Sequence, residues 1–184
     1  MEENNTYSLI DSGNGRKLER FGPYLLDRPA AQAAWTPQLS EKEWAAADAI
    51  FIRESDKKWS VKPHVPDAWT VSASGVTFKI SLTDFGHVGL FPEQHDTWAW
   101  IQQRLHSAQA KGRKNIHALN LFAYSGGSTL AAANAGAHVC HLDASKGMVS
   151  WARENALLSE LHNAPVRWIV DDVRKFLRRE SQRD

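Results

Sequence analysis

The chain has 184 residues, of which 42% are hydrophobic and 23% charged, a composition that supports an ordinary buried core. Its net charge of +1 at pH 7 excludes a protein that captures nucleic acid through overall charge. A single cysteine, Cys140, excludes an internal disulfide and a cysteine-based metal cage.

The start, Met1-Glu-Glu-Asn-Asn5, is polar and acidic, unlike a secretion signal with its basic start and apolar run. No apolar stretch approaches the roughly 20 residues that span a bilayer. The expected location is the cytoplasm, with no membrane partner. Six of the eight tryptophans lie before residue 101, so the N-terminal half carries its own aromatic packing.

Tyr7 to Asp11 and Lys17 to Phe21 flank Ser12-Gly-Asn-Gly15, a hairpin signal because Asn-Gly tolerates positive φ at both central positions. Pro23 and Pro29 bracket an extended segment through Leu25 and Leu26. Ser40 and Glu43 form a capping box for a short helix over Glu41 to Ala47. After Pro63 and Pro66, Trp69, Val71 and Ala73 alternate with polar neighbours. Ser74-Gly75 turns the chain, and Val76, Phe78, Ile80 and Leu82 alternate on the return. These elements predict a small β-rich N-terminal module over 7–85.

From Glu93 the period becomes helical: Trp98, Ile101, Leu105 and Ala108 share one face, and Lys111-Gly112 ends the helix. Ile116 to Phe122 is an apolar run short enough for one buried strand. The chain turns at Tyr124-Ser125-Gly126-Gly127 and enters an Ala-rich helix at Ser128. A strand, a glycine turn and a helix N-terminus build the nucleotide-binding corner of doubly wound α/β folds. The spacing Gly-x-Gly-x-x-Gly is missing, which counts against a dinucleotide and hence an NAD-linked enzyme. Two further units follow. The strand Ala137 to Leu142 ends in Asp143, suited to accept two vicinal ribose hydroxyls. A helix from Lys146 to about Leu161 leads to the strand Val166 to Val170, which ends in Asp171-Asp172, either of which can accept from an adenine amino group. Both acids could instead cap the helices that follow them, although Ser145 offers an alternative cap after Asp143.

This succession resembles the class I S-adenosylmethionine (SAM)-dependent methyltransferases, and within them the subgroup similar to the large-subunit ribosomal RNA cytosine methyltransferases. The resemblance rests on Leu119-Asn-Leu-Phe-Ala-Tyr-Ser-Gly-Gly-Ser-Thr129, Leu142-Asp-Ala-Ser145, Trp151-Ala-Arg-Glu-Asn155, Trp168-Ile-Val-Asp-Asp-Val-Arg-Lys-Phe-Leu177 and the loop His87-Val-Gly-Leu-Phe-Pro-Glu-Gln94. It covers about Ser81 to the end. It implies a Rossmann-like α/β methyltransferase sheet, incomplete, with about three parallel strands retained over 86–184 and preceded by the β-rich module.

The resemblance also implies SAM as cofactor and a set of residues around it. Phe122, Ala123, Tyr124, Ser125, Gly126 and Gly127 would lie along its methionyl part, with Ser128 or Thr129 near the carboxylate. Asp143, followed by Ala144, would take the ribose. Asp172 with the Val173 backbone would take the adenine. Phe91 would cover the adenosine or the sulfonium, a cation attracted to an aromatic face, and Gln94 would hydrogen-bond to the cofactor.

His117, His138 and His141 form no metal cluster with carboxylates, and Cys140 reads as a small buried hydrophobe. The basic run Arg174-Lys-Phe-Leu-Arg-Arg179 reads as a solvated helix face in preference to an RNA patch.

The sequence departs from the subgroup in two respects. It has no cysteine after the third strand to attack a base and no Asp-Pro-Pro run to hold one. An apolar sheet edge is expected to need a partner, such as a second chain that completes the sheet. The expectation is SAM-dependent methyl transfer to RNA, with little or no turnover by these residues alone. The alternative is a non-catalytic nucleoside-binding or interaction fragment that needs a partner chain.

Overall fold

Asn14 (φ 50°) and Gly15 (φ 74°) make the positive-φ turn that joins strands β1 (Tyr7–Gly13) and β2 (Arg16–Phe21). The computed structural model describes residues 5–52 and 58–182. β1 bulges between Leu9 and Asp11. At the bulge Leu9 and Ile10 stay exposed while Asp11 is buried. Its carboxylate accepts the backbone N–H groups of Ser12, Gln38 and Leu39 and the indole N–H of Trp44. Trp44 ends α1 (Glu41–Trp44), a helix shorter than the sequence suggested, with the capping box of Ser40 and Glu43 in place.

β3 (Tyr24–Pro29) continues the antiparallel meander, and β4 (Ala49–Ile52) and β5 (Lys58–Val61) extend it into a five-stranded sheet in the order β1-β2-β3-β4-β5. β4 runs parallel to β3. The last two strands carry only four residues each, too few for an alternation to stand out in the sequence. Inside this sheet Arg28 grips the carboxylate of Glu19 with two donors, at 2.7 and 2.9 Å. Glu19 is fully buried and also accepts from Tyr7 at 3.1 Å. Removing one partner of such a pair costs roughly 3–5 kcal/mol, because the other is left charged and buried.

The next hairpin, β6 (Ala68–Ala73) with β7 (Val76–Ser81), turns at Ser74 and Gly75, both at positive φ. The chain divides here into two units, Met1–Ser72 with Lys79–Gly89, and Ala73–Phe78 with Leu90–Asp184. The hairpin tip is tied into the second unit, where Gln102 donates to the Ser74 carbonyl at 3.0 Å and Ser159 exchanges hydrogen bonds with the Thr77 backbone.

The second unit is an α/β layer. A 3₁₀ turn (Pro92–Gln94) precedes α2 (His95–Ala110), two residues later than the sequence pattern suggested because Pro92 sets a tight turn first. β8 (His117–Leu121), β9 (His138–Asp143) and β10 (Val166–Val170) form a parallel sheet in the order β10-β9-β8, with α3 (Gly127–Asn134) and α4 (Lys146–Leu158) as crossovers and α5 (Val173–Glu180) following. Parallel strands joined by helices are the arrangement expected of a Rossmann-like sheet.

The strand period of two separates the faces. Ala118, Val139 and Val166 pack with Ala132 and Ala133 of α3 and with Ile101 and Leu105 of α2. Leu121, Cys140, Leu142 and Ile169 pack on the other side with Val173 and Phe176 of α5. The expectation of a buried first strand needs correction. Leu119 is 49% exposed and is not among the residues that pack with Val173 and Phe176 of α5, and Phe122, in the turn beyond the strand, is 75% exposed. Cys140, expected to be buried, is half-buried, and desolvation pushes its thiol pKa up. Among the described residues, β8 pairs with β9 alone, and no helix is long and apolar enough to cross a membrane.

Candidate functional site

The turn from β8 into α3 holds a backbone that side chains rarely adopt. Phe122 (φ 54°) and Tyr124 (φ 51°) are left-handed, and Gly126 follows at φ 93°. A left-handed non-glycine residue costs on the order of 1–3 kcal/mol and persists where the surroundings over-determine it. Four hydrogen bonds do so here. Ala123 N–H donates to the Leu142 carbonyl at 3.1 Å, and Tyr124 N–H to Asp143 Oδ2 at 2.9 Å. Gly126 N–H donates to the Ala123 carbonyl at 3.0 Å, and the fully buried Asn155 donates through Nδ2 to the Ser125 carbonyl at 2.9 Å. The end of β9 and the inner face of α4 thus fix the turn before any ligand arrives.

Asp143 also accepts from Ser145 N–H through Oδ1 at 2.8 Å. Each carboxylate oxygen has two lone pairs, so both retain capacity for a vicinal diol. Ser145, not Asp143, caps α4, accepting from Met148 N–H. One strand over, Asp171 and Asp172 differ in their commitments. Asp171 is ion-paired with Arg179, whose hydrogen bond holds its carboxyl below the usual range, and it accepts Asp172 N–H at 2.8 Å. Asp172 caps α5 by accepting Lys175 N–H through Oδ1 at 2.9 Å. Its Oδ2 accepts no hydrogen bond among the described residues. β10 keeps this end beside Asp143, with Val170 opposite Asp143 in register.

A cavity of about 460 Å³ opens on the turn. It brings together Phe91, Gln94, Phe122, Ala123, Tyr124 and Ser125, and behind them Gly127 and Ser128. The Phe91 and Tyr124 rings lie 4.7 Å apart, an aromatic wall suited to a cation. Asp143 joins this group through Tyr124 N–H. Ala144, Asp172 and Val173 lie on the strand-end side, outside the cavity lining. Thr129 is fully buried and turned inward: Asn120 donates to its hydroxyl at 2.8 Å, and His141 Nδ1 lies 2.9 Å away. Ser128 is therefore the hydroxyl at the helix start that faces the cavity.

Both glycines of the turn have a packing reason. A Cβ on Gly126 would approach Ala152 Cβ at 3.0 Å, and one on Gly127 would meet the Trp98 indole at 2.5 Å.

Sequence reasoning gave Trp98, Asn120 and Asn155 no part in the site. Trp98 read only as a packing position on α2, although it also lines the cavity. A signal existed for the other two: Asn120 is a polar residue inside an apolar strand, and Asn155 closes a stretch that carried the family resemblance. His141 is fully buried, and burial lowers its pKa to about 4. Its Nε2 is buried without a partner. Among the described residues no group of histidine, cysteine and carboxylate side chains is placed to hold a metal.

The sequence model of the S-adenosylmethionine-dependent methyltransferases matches residues 25–178. The chain belongs to that family, whose cofactor is SAM. It is 35% identical over 160 residues to the ribosomal RNA large subunit methyltransferase K/L of Pseudoalteromonas atlantica, covering 86% of this chain and 20% of that one. The protein of the same name from Marinobacter nauticus is 30% identical over 168 residues, covering 83% and 22%. Among solved structures, the SAM-dependent methyltransferase of Agrobacterium tumefaciens superimposes with a TM-score of 0.90 at 44% identity, over 96% of this chain and 56% of that one. The chain thus spans about a fifth of the length of these curated relatives and about half that of the solved one.

Proposed function

We propose that this polypeptide holds SAM for methyl transfer to RNA, working from the cytoplasm. The observation that carries the reading is the convergence on one turn of a strained, pre-fixed backbone, the Asp143 carboxylate and an aromatic wall. The residues fit the cofactor by their chemistry. Asp143 offers acceptors for a diol, Phe91 and Tyr124 offer ring faces for a sulfonium, and the start of α3 offers N–H groups for a carboxylate. Asp172 offers a spare acceptor for the adenine amino group, and Gln94 a further hydrogen bond. The cofactor supplies an electrophilic methyl group. The residues of this chain orient it by fixing both ends of the molecule, and orientation is the larger part of such a rate gain.

RNA as acceptor rests on the names of the curated relatives, which act on ribosomal RNA. The groups that hold the acceptor are proposed to come from polypeptide that pairs along the free edge of β8, on this or a second chain. The exposed Leu119 beside that edge supports this. The test is transfer of labelled methyl from SAM to total RNA. These 184 residues alone are expected to bind the cofactor and transfer little. Addition of polypeptide that pairs along β8, covalently or as a second chain, is expected to raise transfer. Failure to label RNA even then would overturn RNA as the acceptor.

A further inference from the structure

The methionyl end of the cavity presents an anion with an unusual problem. Among the described residues no lysine or arginine lines it, and the one charged side chain in its lining is the acid Glu93. The N-terminus of α3 lies there, and no side chain caps it, so its first-turn N–H groups lack intrahelical acceptors. Against this first turn sits the indole of Trp98. A Cβ on Gly127 would lie 2.5 Å from Cζ2, 2.7 Å from Cε2 and 2.9 Å from Nε1. The ring is held by stacking on Phe78 with centroids 5.3 Å apart and planes at 24°. Trp98 is only 3% exposed. Its N–H has no hydrogen-bond partner among the described residues and is not among the fully enclosed polar atoms left unpaired there, which are Ser74 Oγ and His141 Nε2; the residue lines the cavity.

We propose that Trp98 Nε1–H is a cofactor-binding donor that, with the first turn of α3, receives the carboxylate of the cofactor's methionine moiety. The inference rests on the SAM reading of the site and adds a residue to it. Gly127 is then required so that the indole can lie flush against the helix start and set its N–H beside the backbone donors. A neutral donor there holds the carboxylate while leaving the positively charged sulfonium unopposed by a lysine or arginine, which would repel it.

The test uses the 184-residue chain and two ligands that differ at this end. S-adenosylhomocysteine carries the amino-acid carboxylate; 5′-methylthioadenosine lacks it. Trp98→Phe keeps a ring to stack on Phe78 and removes only the donor. The expected result is about a tenfold loss of affinity for S-adenosylhomocysteine, the scale of one hydrogen bond to a charged acceptor, with affinity for 5′-methylthioadenosine unchanged. Unchanged binding of both ligands, or equal loss of both, overturns the proposal, the second outcome showing a packing role. If the wild-type chain binds neither ligand, the SAM reading itself fails and the proposal with it. If Trp98→Phe does not fold, the wild-type indole N–H resonance of Trp98 decides. It is expected to move downfield with S-adenosylhomocysteine and not with 5′-methylthioadenosine, and its failure to move overturns the assignment.

Discussion

Asp143, at the end of β9, accepts the backbone N–H of Tyr124 at 2.9 Å, so the residue proposed to bind ribose also fixes the turn proposed to hold the methionyl group. The two halves of the proposed cofactor site are coupled through this one bond. The left-handed conformation of Tyr124 is held partly by it, and loss of the carboxylate is expected to be felt at both ends of the proposed site.

The contact between Gly127 and Trp98 makes a prediction about packing. In an open helix, Gly→Ala stabilises by up to about 1 kcal/mol. At position 127 the added methyl would stand 2.5 Å from the indole, and overpacking of this kind costs about 1–3 kcal/mol. Gly127→Ala is therefore expected to lower stability in urea unfolding. In the Trp98→Ala background the same change is expected to be neutral or stabilising, and additive losses in the double variant would show that the two residues are uncoupled.

Asp172 combines a helix cap with the proposed adenine contact, and the roles separate by substitution. Asp172→Ser retains an oxygen for Lys175 N–H, so stability is expected to hold within about 0.5 kcal/mol, while affinity for S-adenosylhomocysteine falls. Asp172→Ala is expected to lose about 1 kcal/mol of stability as well. Thermal melts and titration calorimetry on the pair check both statements.

His141 makes stability depend on pH. Its folded pKa of about 4 lies below the ordinary histidine value of 6.5 because burial disfavours the charged ring. The unfolded chain binds the extra proton first, so stability is full above about pH 6.5 and declines as pH falls toward 4. The total loss is on the order of 3 kcal/mol. His141→Gln is expected to flatten this part of the profile, and an unchanged slope between pH 7 and 5 would assign the effect to other groups.

Much of this architecture was legible in the sequence, because the signals were local. Asn14-Gly15 demands a hairpin by its φ angles, the Ser40–Glu43 box starts its helix, and Asp143 and Asp172 fall at strand ends that the apolar runs define. What escaped depends on contacts distant in sequence. β4 and β5 are too short to alternate visibly, and their strand character comes from pairing with β3 and with each other. Asn155 reaches the Ser125 carbonyl 30 residues away. Trp98 looks like any apolar position of α2 until Gly127 is seen beneath its ring. The exposure of Leu119 escaped too, because an apolar run alone does not show which face of its strand is covered.

The most direct test of the cofactor assignment is calorimetric titration of the chain with S-adenosylhomocysteine, for wild type and for Asp143→Ala, with circular dichroism to show that the variant is folded. Wild type is expected to bind, and folded Asp143→Ala to show no heat of binding. Absence of binding by wild type, or equal binding by the two proteins, would contradict the placement of the cofactor at this turn.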